Sequence, residues 1–293
     1  KAAACGTIRR EKRKGMKRMN IKAAIWDLDG TLLRSDKTLS ARTRQVLESY
    51  IAKGTHVVVA SGRSYDSLPQ EVLSVSGIDY AITSNGVVIC HRPTGEKLFY
   101  SPLKPACTQQ LLSLIQTHHA EFEVFLDGVP YADAAFVAHP TAYGLPDAAT
   151  QYIQSTRKPV ENLLSFTQEH IQELDCLDFI TIDQQKRKLL SQQLEQISGI
   201  YVTSSVPHLL EISDASAGKG AALRRLAQHL DIPREQIAAF GNEENDLDMI
   251  AFAGVGVAVA NSPAHVRDCA NFVTGSNDED GVADFLERYL TQQ

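Results

Sequence analysis

Two aspartates separated by one residue stand directly after a short apolar run. Residues 23–26 are apolar, and Asp27, Asp29 and the turn-forming Gly30 follow them. Because alternate residues of an extended chain point to the same side, Asp27 and Asp29 can face one site. Two carboxylates ~5 Å apart repel by ~3 kcal/mol at an effective dielectric of ~20, so a cation or a proton must compensate. Mg²⁺ suits this position, since it binds carboxylate oxygens together with water and substrate phosphate.

Three further polar clusters follow apolar runs or a helix-start signal. Ser61, Gly62 and Arg63 offer a hydroxyl and backbone N–H groups, which suit a phosphate oxygen. Lys219 stands at the predicted start of a helix and places a cation where an anion can bind. The last cluster adds acids and amides after an apolar run: Gly241, Asn242, Glu243, Glu244, Asn245 and Asp246. Each cluster alone is typical of a surface turn, but the ordered set of four indicates one site.

The elements that must position these residues alternate between strands and helices. Continuous apolar runs, which are typical of strands buried on both faces, occur at residues 23–26, 57–60, 80–83, 237–240 and 255–259. Helical patterns lie between them, including one over residues 41–53 with Ser40 as its N-cap. Both ends of the chain therefore predict an α/β fold with a doubly wound, Rossmann-like parallel sheet. Active sites in such sheets lie beyond the carboxyl ends of the strands.

The middle of the chain has a different pattern. Residues 122–126 and 129–131 flank Asp127-Gly128, a pair typical of a tight hairpin turn, and predicted helices cover about 105–119 and 184–197. We therefore predict an inserted α+β cap domain that determines substrate specificity. The predicted division is a flexible basic tail over 1–18, a core over 19–86 and 207–293, and the cap over 87–206.

Composition and charge exclude several classes of protein. The 293 residues are 43% hydrophobic and 22% charged, as in an ordinary globular chain of about two domains. The first 20 residues hold eight bases and one acid, so the remaining residues carry 21 bases against 34 acids. This acidic body argues against a nucleic-acid partner. The longest apolar run, residues 250–260, is too short to span a membrane.

The five cysteines are odd in number and form no CxxC pair. They predict reduced thiols in a cytoplasmic protein rather than a disulfide framework or a zinc site. We expect a monomer or a weak homodimer.

The motifs named above lie in a characteristic order along the chain. They are Asp27-Leu28-Asp29-Gly30-Thr31, Ser61-Gly62-Arg63, Lys219 and Gly241-Asn242-Glu243-Glu244-Asn245-Asp246. In this order the chain resembles the haloacid-dehalogenase superfamily of phosphohydrolases over about residues 21–290. Within it, the chain is similar to the Cof-type group of cap class IIB, whose large cap is inserted between the second and third motifs.

The resemblance implies a role for each catalytic residue. Asp27 would attack phosphorus and form an aspartyl-phosphate, and Asp29 would protonate the leaving alcohol and then activate water. Lys219 would offset the charge of the transferring phosphoryl group.

Phosphate and metal ligands are implied in the same way. Ser61, the backbone of Gly62, Arg63 and Asn245 would bind phosphate or substrate, although Arg63 can instead pair with an acid. Mg²⁺ would bind Asp27, the backbone carbonyl of Asp29 and the last motif, where the direct ligand is either Asn242 or Asp246. The family usually has Asp where this chain has Asn242, so we expect weaker Mg²⁺ affinity or a larger share carried by Asp246.

These features predict a Mg²⁺-dependent phosphatase acting on small phosphorylated metabolites, either sugar phosphates or phosphorylated cofactors. A phosphomutase with the same aspartyl-phosphate is an alternative. A non-catalytic phosphate-sensing module is another, although a sensor gains nothing from the acid/base group of Asp29. The region 87–206 contains no motif with a chemical meaning, so the sequence leaves the substrate open.

Overall fold

The computed structural model describes residues 20–289 of the chain. The basic tail predicted over residues 1–18 lies outside the described residues. Across the described range, no helix combines the length and the apolar character needed to cross a membrane.

Strands and helices of the described chain alternate along much of its length. The strands are β1 (Ala23–Trp26), β2 (His56–Ala60), β3 (Tyr80–Thr83), β4 (Val88–His91), β5 (Glu96–Tyr100), β6 (Glu121–Leu126), β7 (Val129–Asp133), β8 (Lys158–Val160), β9 (Leu174–Ile180), β10 (Ile200–Thr203), β11 (Leu209–Asp214), β12 (Ile237–Gly241), β13 (Val255–Ala258) and β14 (Phe272–Val273). The α-helices are α1 (Ala41–Ile51), α2 (Gln70–Leu73), α3 (Pro105–His118), α4 (Ala134–Ala138), α5 (Asp147–Thr156), α6 (Leu163–Glu169), α7 (Gln184–Leu194), α8 (Lys219–His229), α9 (Leu247–Phe252), α10 (Ala264–Cys269) and α11 (Gly281–Tyr289).

The larger sheet has the strand order β14-β13-β12-β1-β2-β3-β4-β5. Its first six strands are parallel, and β4 and β5 extend it as an antiparallel hairpin. Buried side chains cover both faces: Trp26 packs with α1 and α11, while Ile25 packs with α8 and α9. The predicted doubly wound α/β core is confirmed.

Helix α1 shows how local sequence sets an element of this core. Ser40 is its N-cap, and the Ser40 hydroxyl accepts a hydrogen bond from the backbone N–H of Thr43. The helix ends at Ile51, and Gly54 adopts a φ of +81° just beyond it, a value that favours glycine. The predicted start is confirmed, and the helix ends two residues before the predicted Lys53.

The smaller sheet has the strand order β10-β11-β9-β6-β7-β8, and its pairs are antiparallel except β7 with β8. Its β6–β7 hairpin turns at Asp127 and Gly128, both at positive φ as a tight two-residue turn requires. Side chains of β6 and β9 alternate between two faces. Val124, Leu177 and Phe179 pack into one hydrophobic cluster with residues of α3 and α7.

The sheet pairing corrects the predicted boundaries of the cap. Strands β4 and β5, within the predicted cap, belong to the core sheet, whereas β11, within the predicted core, belongs to the smaller sheet. We therefore take the cap as residues 101–214. The misassignment has a physical cause: an antiparallel hairpin at the edge of a parallel sheet has the same sequence pattern as a hairpin in a cap.

Candidate active site

The predicted motif residues meet at the carboxyl edge of the core sheet. Asp27 follows β1, Ser61 follows β2 and Asn242 follows β12, while Lys219 begins α8. Because these strands are parallel, their ends lie side by side despite the long separations in sequence. A cavity of about 630 Å³ lies between this edge and the cap, and Asp27, Ser61 and Asn242 line it.

Asp27 and Lys219 form a buried ion pair at the floor of this site. Lys219 Nζ donates to Asp27 Oδ1 at 2.6 Å and to Asp246 Oδ1 at 2.7 Å. The pKa of Asp27 is raised to about 7, because burial and the smaller effects of Asp246 and Asp29 together outweigh the lowering by Lys219. Burial alone would lower the pKa of Lys219, but Asp246 and Asp27 outweigh it and raise this pKa. Lys219 therefore stays charged and favours the ionised form of Asp27.

The backbone before Lys219 depends on two glycines. Gly218 has φ +105° and ψ 140°, and its N–H donates to the carbonyl oxygen of Asn85 at 2.9 Å. Gly86 has φ +92°, and a Cβ there would lie 2.4 Å from the Gly218 carbonyl oxygen. The loop after β3 thus fixes the point at which α8 begins.

Asp246 is buried with both carboxylate oxygens engaged. Its Oδ1 accepts from Lys219, and its Oδ2 accepts from the backbone N–H of Asn242 at 2.8 Å and of Glu243 at 3.1 Å. Asp246 is fully buried and does not line the cavity, whereas Asn242 does. Of the two ligands that the sequence left open, the geometry therefore favours Asn242 and gives Asp246 an orienting role.

Asn242 brings its side-chain amide close to the other two expected ligands. One end of the amide lies 3.1 Å from Asp27 Oδ2, 3.1 Å from the Asp29 carbonyl oxygen and 2.7 Å from Thr31 Oγ1. With its nitrogen at this end, the amide donates to Asp27 and to the Asp29 carbonyl. With its oxygen there, the amide accepts from Thr31 and faces two further oxygens with no proton between them.

The second orientation suits a hard cation. Adjacent ligands of an octahedral Mg²⁺ ion at ~2.1 Å are ~3 Å apart, which matches the 3.1 Å from the amide oxygen to Asp27 Oδ2 and to the Asp29 carbonyl oxygen. No cluster of three or more His, Cys, Asp or Glu side chains suited to a metal occurs in residues 20–289. The groups that fit Mg²⁺ are the carboxylate of Asp27, the backbone carbonyl of Asp29 and the side-chain amide of Asn242.

The Asp29 carboxylate points to two cations rather than to the Asp27 carboxylate. Arg63 Nε donates to Asp29 Oδ2 at 2.7 Å, Arg63 Nη2 donates to Oδ1 at 2.8 Å, and Lys37 Nζ donates to Oδ1 at 2.9 Å. Burial would raise the pKa of Asp29, but the bonds from Arg63 and then Lys37 outweigh it and lower this pKa to about 2. The sequence left Arg63 either to bind phosphate or to pair with an acid. In the structure Arg63 pairs with Asp29, and it also lines the cavity.

The predicted phosphate-binding residues surround the space above Asp27. Ser61 is buried, and its Oγ accepts from the backbone N–H of Arg63 at 3.1 Å. A Cβ on Gly62 would lie 3.2 Å from Asn85 Oδ1, so a larger residue would crowd this loop. Asn245 Nδ2 donates to Asn85 Oδ1 at 2.9 Å and thereby ties the last motif to the loop after β3.

Sequence reasoning missed several residues of this site. Asn85 and Lys37 were not among the predicted residues, and neither were the cap residues that line the cavity: Glu123, Arg157, Asp178 and Glu211. One signal existed for Asn85, because it follows an apolar run just as Asp27 and Ser61 do.

Together the fold and the site define a class of protein. A buried aspartate beside a lysine, three oxygens that fit Mg²⁺ and a small polar loop are the parts of a phosphoryl-transfer site. They stand at the edge of a doubly wound sheet that carries an inserted cap. Residues 24–286 match the family model of haloacid dehalogenase-like hydrolases, and the chain belongs to this family.

Comparisons with individual proteins place the chain among Cof-type phosphatases. It is 31% identical over 282 residues to phosphatase YwpJ of Bacillus subtilis, and the aligned region covers 90% of this chain and 98% of YwpJ. It is 30% identical over 291 residues to the 5-amino-6-(5-phospho-D-ribitylamino)uracil phosphatase YwtE of the same organism, covering 93% and 99%. A solved haloacid dehalogenase-like hydrolase from B. subtilis superposes with a TM-score of 0.79 at 28% identity, covering 92% and 100%.

These findings make the chain an enzyme, a phosphoric monoester hydrolase. The predicted family and enzyme class are confirmed. The alternative of a non-catalytic phosphate-sensing module is wrong.

Proposed function

We propose that this enzyme is a Mg²⁺-dependent phosphatase that hydrolyses small phosphorylated metabolites, sugar phosphates or phosphorylated cofactors, through an aspartyl-phosphate on Asp27. One observation carries the proposal: the two oxygens of Asp27 have different neighbours. Oδ1 accepts from Lys219, while Oδ2 lies beside the Asn242 amide. A carboxylate held this way can bind a metal and attack phosphorus at the same time.

In the first step a carboxylate oxygen of Asp27 forms a bond to phosphorus, and the bond from phosphorus to the ester oxygen breaks. Asp29 gives its proton to the departing oxygen, so that an alcohol leaves. Lys219, Ser61 and the backbone of Gly62 offset the charge on the phosphoryl oxygens. When bound by Asp27, Asn242 and the Asp29 carbonyl, Mg²⁺ would supply further positive charge to those oxygens.

In the second step water attacks phosphorus, and Asp29 takes the proton of that water. The bond between phosphorus and Asp27 breaks, which releases inorganic phosphate and restores both carboxyl groups. Closure of the cap over the cavity would exclude other water during the first step.

The direct test is phosphate release over a panel of phosphate monoesters, with Asp27→Asn as the blank. The panel includes 5-amino-6-(5-phospho-D-ribitylamino)uracil, because the relative YwtE is named for that compound. We expect release that requires Mg²⁺, stops with a chelator and is absent from the blank. Release at the wild-type rate by Asp27→Asn would refute the proposal.

The phosphomutase alternative has the same first step. It differs in the fate of the phosphoryl group, which a mutase returns to a second hydroxyl. Release of free phosphate without an added bisphosphate supports the phosphatase.

The location and assembly of the protein stay predictions. We propose a cytoplasmic enzyme, supported by the buried free thiols of Cys90, Cys107 and Cys176. We propose a monomer or weak homodimer, with no nucleic-acid or membrane partner.

A further inference from the structure

Three carboxylates stand in one row across the cap sheet. Strand β9 lies between β6 and β11, and Asp178 of β9 is paired in register with Glu123 of β6 and with Glu211 of β11. All three line the cavity, on the face of the sheet that looks toward the core. We call Glu123, Asp178 and Glu211 the acid row.

The acid row is buried and so carries an energetic penalty. The exposed fractions are 1% for Glu123, 5% for Asp178 and 6% for Glu211. Like charges directly opposite one another destabilise a sheet, and burial adds the cost of removing carboxylates from water. A fold that needed only packing here would have apolar side chains, as the opposite face of the same strands has.

One cation compensates part of the row. Arg157 Nε donates to Glu123 Oε2 at 2.8 Å, and Arg157 Nη2 donates to Glu123 Oε1 at 2.7 Å. The Arg157 guanidinium also lies over the ring of Tyr152, 5.0 Å from its centroid. This bidentate pair engages both oxygens of Glu123. Among the described residues Asp178 and Glu211 form no ion pair, although Arg157 and Lys219 respectively act on them at longer range.

Glu211 has an oxygen without a protein partner. Its Oε1 accepts from Ser205 Oγ at 2.8 Å, while its buried Oε2 has no hydrogen-bond partner within residues 20–289. Oε1 would lie 3.3 Å from a Cβ placed on Gly62, so Glu211 stands close to the predicted phosphate-binding loop. A buried carboxylate oxygen with no protein donor requires a donor from outside the protein, and the cavity that Glu211 lines gives a ligand access to this residue.

The electrostatics of the acid row also favour a hydrogen-bond donor from a ligand at this position. Burial raises the pKa of Asp178, and the neighbouring Glu211 and Glu123 raise it further. Burial also raises the pKa of Glu211, against the hydrogen bonds from Ser205 and Asn85 and the charge of Lys219. Donors on a ligand would relieve this mutual repulsion. The rest of the cap wall is largely apolar, and its lining residues include Phe125, Phe136, Leu145, Ile153 and Ile180.

We propose that Glu211 and Asp178 bind hydrogen-bond donors on the leaving group of the substrate. The substrate class is then a phosphate monoester whose alcohol carries hydroxyl or amino groups and no second anionic group. This inference rests on the proposed phosphatase function and adds the choice of substrate. Lys219 and the donors of the core edge attract the phosphate, while the acid row on the cap wall disfavours a second anionic group on the leaving alcohol.

The test uses three six-carbon substrates that share the same phosphorylated position: glucosamine 6-phosphate, glucose 6-phosphate and 6-phosphogluconate. They carry an ammonium, a neutral and a carboxylate group on the leaving alcohol. We expect kcat/KM of the Mg²⁺-loaded wild type to fall in that order. The carboxylate compound should lie roughly 10- to 100-fold below the amine, which corresponds to one charge-assisted hydrogen bond.

Variants locate the effect in the acid row. Glu211→Gln and Asp178→Asn keep the side-chain volume and remove the carboxyl group that a cationic donor would hold in its ionised form, so each should reduce the ratio of kcat/KM between glucosamine 6-phosphate and 6-phosphogluconate by roughly 10-fold. The matched control is Glu161→Gln, an exposed cap glutamate that does not line the cavity. This control should leave the ratio at its wild-type value.

Failure of the inference differs from failure of the proposed function. Hydrolysis of all three substrates at similar kcat/KM, or a preference for 6-phosphogluconate, would overturn the role of the acid row while leaving the phosphatase intact. An unchanged ratio in both row variants would overturn it as well. Absence of hydrolysis from every phosphate monoester, para-nitrophenyl phosphate included, would instead refute the phosphatase function.

Discussion

Arg63 binds both carboxylate oxygens of Asp29, with its Nε and Nη2 at 2.7 and 2.8 Å from them. With the pKa of Asp29 lowered to about 2, this carboxyl group carries no proton near neutral pH. A general acid needs a proton to give. In the role proposed for it, the Asp29 carboxylate would have to leave Arg63 and gain a proton before it could protonate a leaving group.

The role of Asp29 can be separated into its two steps with leaving groups of different basicity. In Asp29→Asn, we expect para-nitrophenyl phosphate to give a burst of about one equivalent of nitrophenolate per site, because this leaving group needs no acid. Steady turnover should then fall by roughly 10²- to 10⁴-fold, since the second step lacks its base. Stopped-flow absorbance measures both phases.

An alkyl phosphate is the matched comparison for the burst. Its leaving group needs the proton, so Asp29→Asn should show no burst of alcohol with it. Equal bursts from both substrates would contradict the acid role of Asp29.

The pair between Arg63 and Asp29 contributes stability that depends on pH. Because the pKa of Asp29 is depressed from 3.8 to about 2, its contribution is present above pH ~4 and is lost as the pH falls toward 2. We expect Arg63→Met to lower the free energy of unfolding by ~2 kcal/mol or less at pH ~6, after allowance for screening of the partly exposed Asp29. Urea titrations at pH ~6 and ~3 should show a smaller difference from wild type at the lower pH.

The control for this series is Arg288→Met, which breaks the exposed pair between Arg288 and Asp284 on one helix. It should change stability little at either pH. A wild-type advantage over Arg63→Met that grows as the pH falls would contradict the predicted sign.

Asn242 stands where the sequence resemblance leads us to expect an aspartate. Asn242→Asp adds a carboxylate 3.1 Å from Asp27 Oδ2, so we expect the metal-free variant to be less stable and Mg²⁺ to bind at least ~10-fold more tightly. Thermal unfolding as a function of Mg²⁺ concentration measures both effects. Asn162→Asp adds the same charge at an exposed helix N-cap and should leave Mg²⁺ affinity unchanged. Unchanged or weaker binding in Asn242→Asp would contradict a ligand at this position.

The contact between Gly86 and Gly218 fixes the start of the helix that carries Lys219. Gly86→Ala places a Cβ 2.4 Å from the Gly218 carbonyl oxygen at a φ of +92°, so we expect a loss of ~2–4 kcal/mol in stability and of most activity. Gly95→Ala has the same kind of backbone, with φ +69° but open space, and should cost ~1 kcal/mol without changing kcat. Similar Tm and kcat for both variants would refute this role of the contact.

Much of the core and its site follows from local sequence. Asp27 and Ser61 come after apolar runs of the length of buried strands, and parallel strands bring their carboxyl ends together whatever their order. The same reasoning applies to Asn85, which was overlooked because its neighbours carry no motif. The start of α1 follows from Ser40, whose hydroxyl caps the helix.

The acid row depends on information that is not local. Each of Glu123, Asp178 and Glu211 has apolar neighbours in a strand, and the alternation alone does not say which face meets the core. Their alignment requires the register between β6, β9 and β11, which join residues 55 and 33 positions apart. The pairing of Arg63 with Asp29 is likewise a matter of side-chain geometry, and the sequence left it as one of two alternatives.

The central claim is that Asp27 carries the phosphoryl group between the two steps. Because Asp29→Asn should pass the first step with para-nitrophenyl phosphate and stall at the second, rapid acid quench of this variant should preserve the intermediate. Fragmentation mass spectrometry of the peptide that contains residues 23–34 should then place one phosphoryl group on Asp27. A phosphoryl group on another residue, or a nitrophenolate burst with no phosphorylated peptide, would contradict the account.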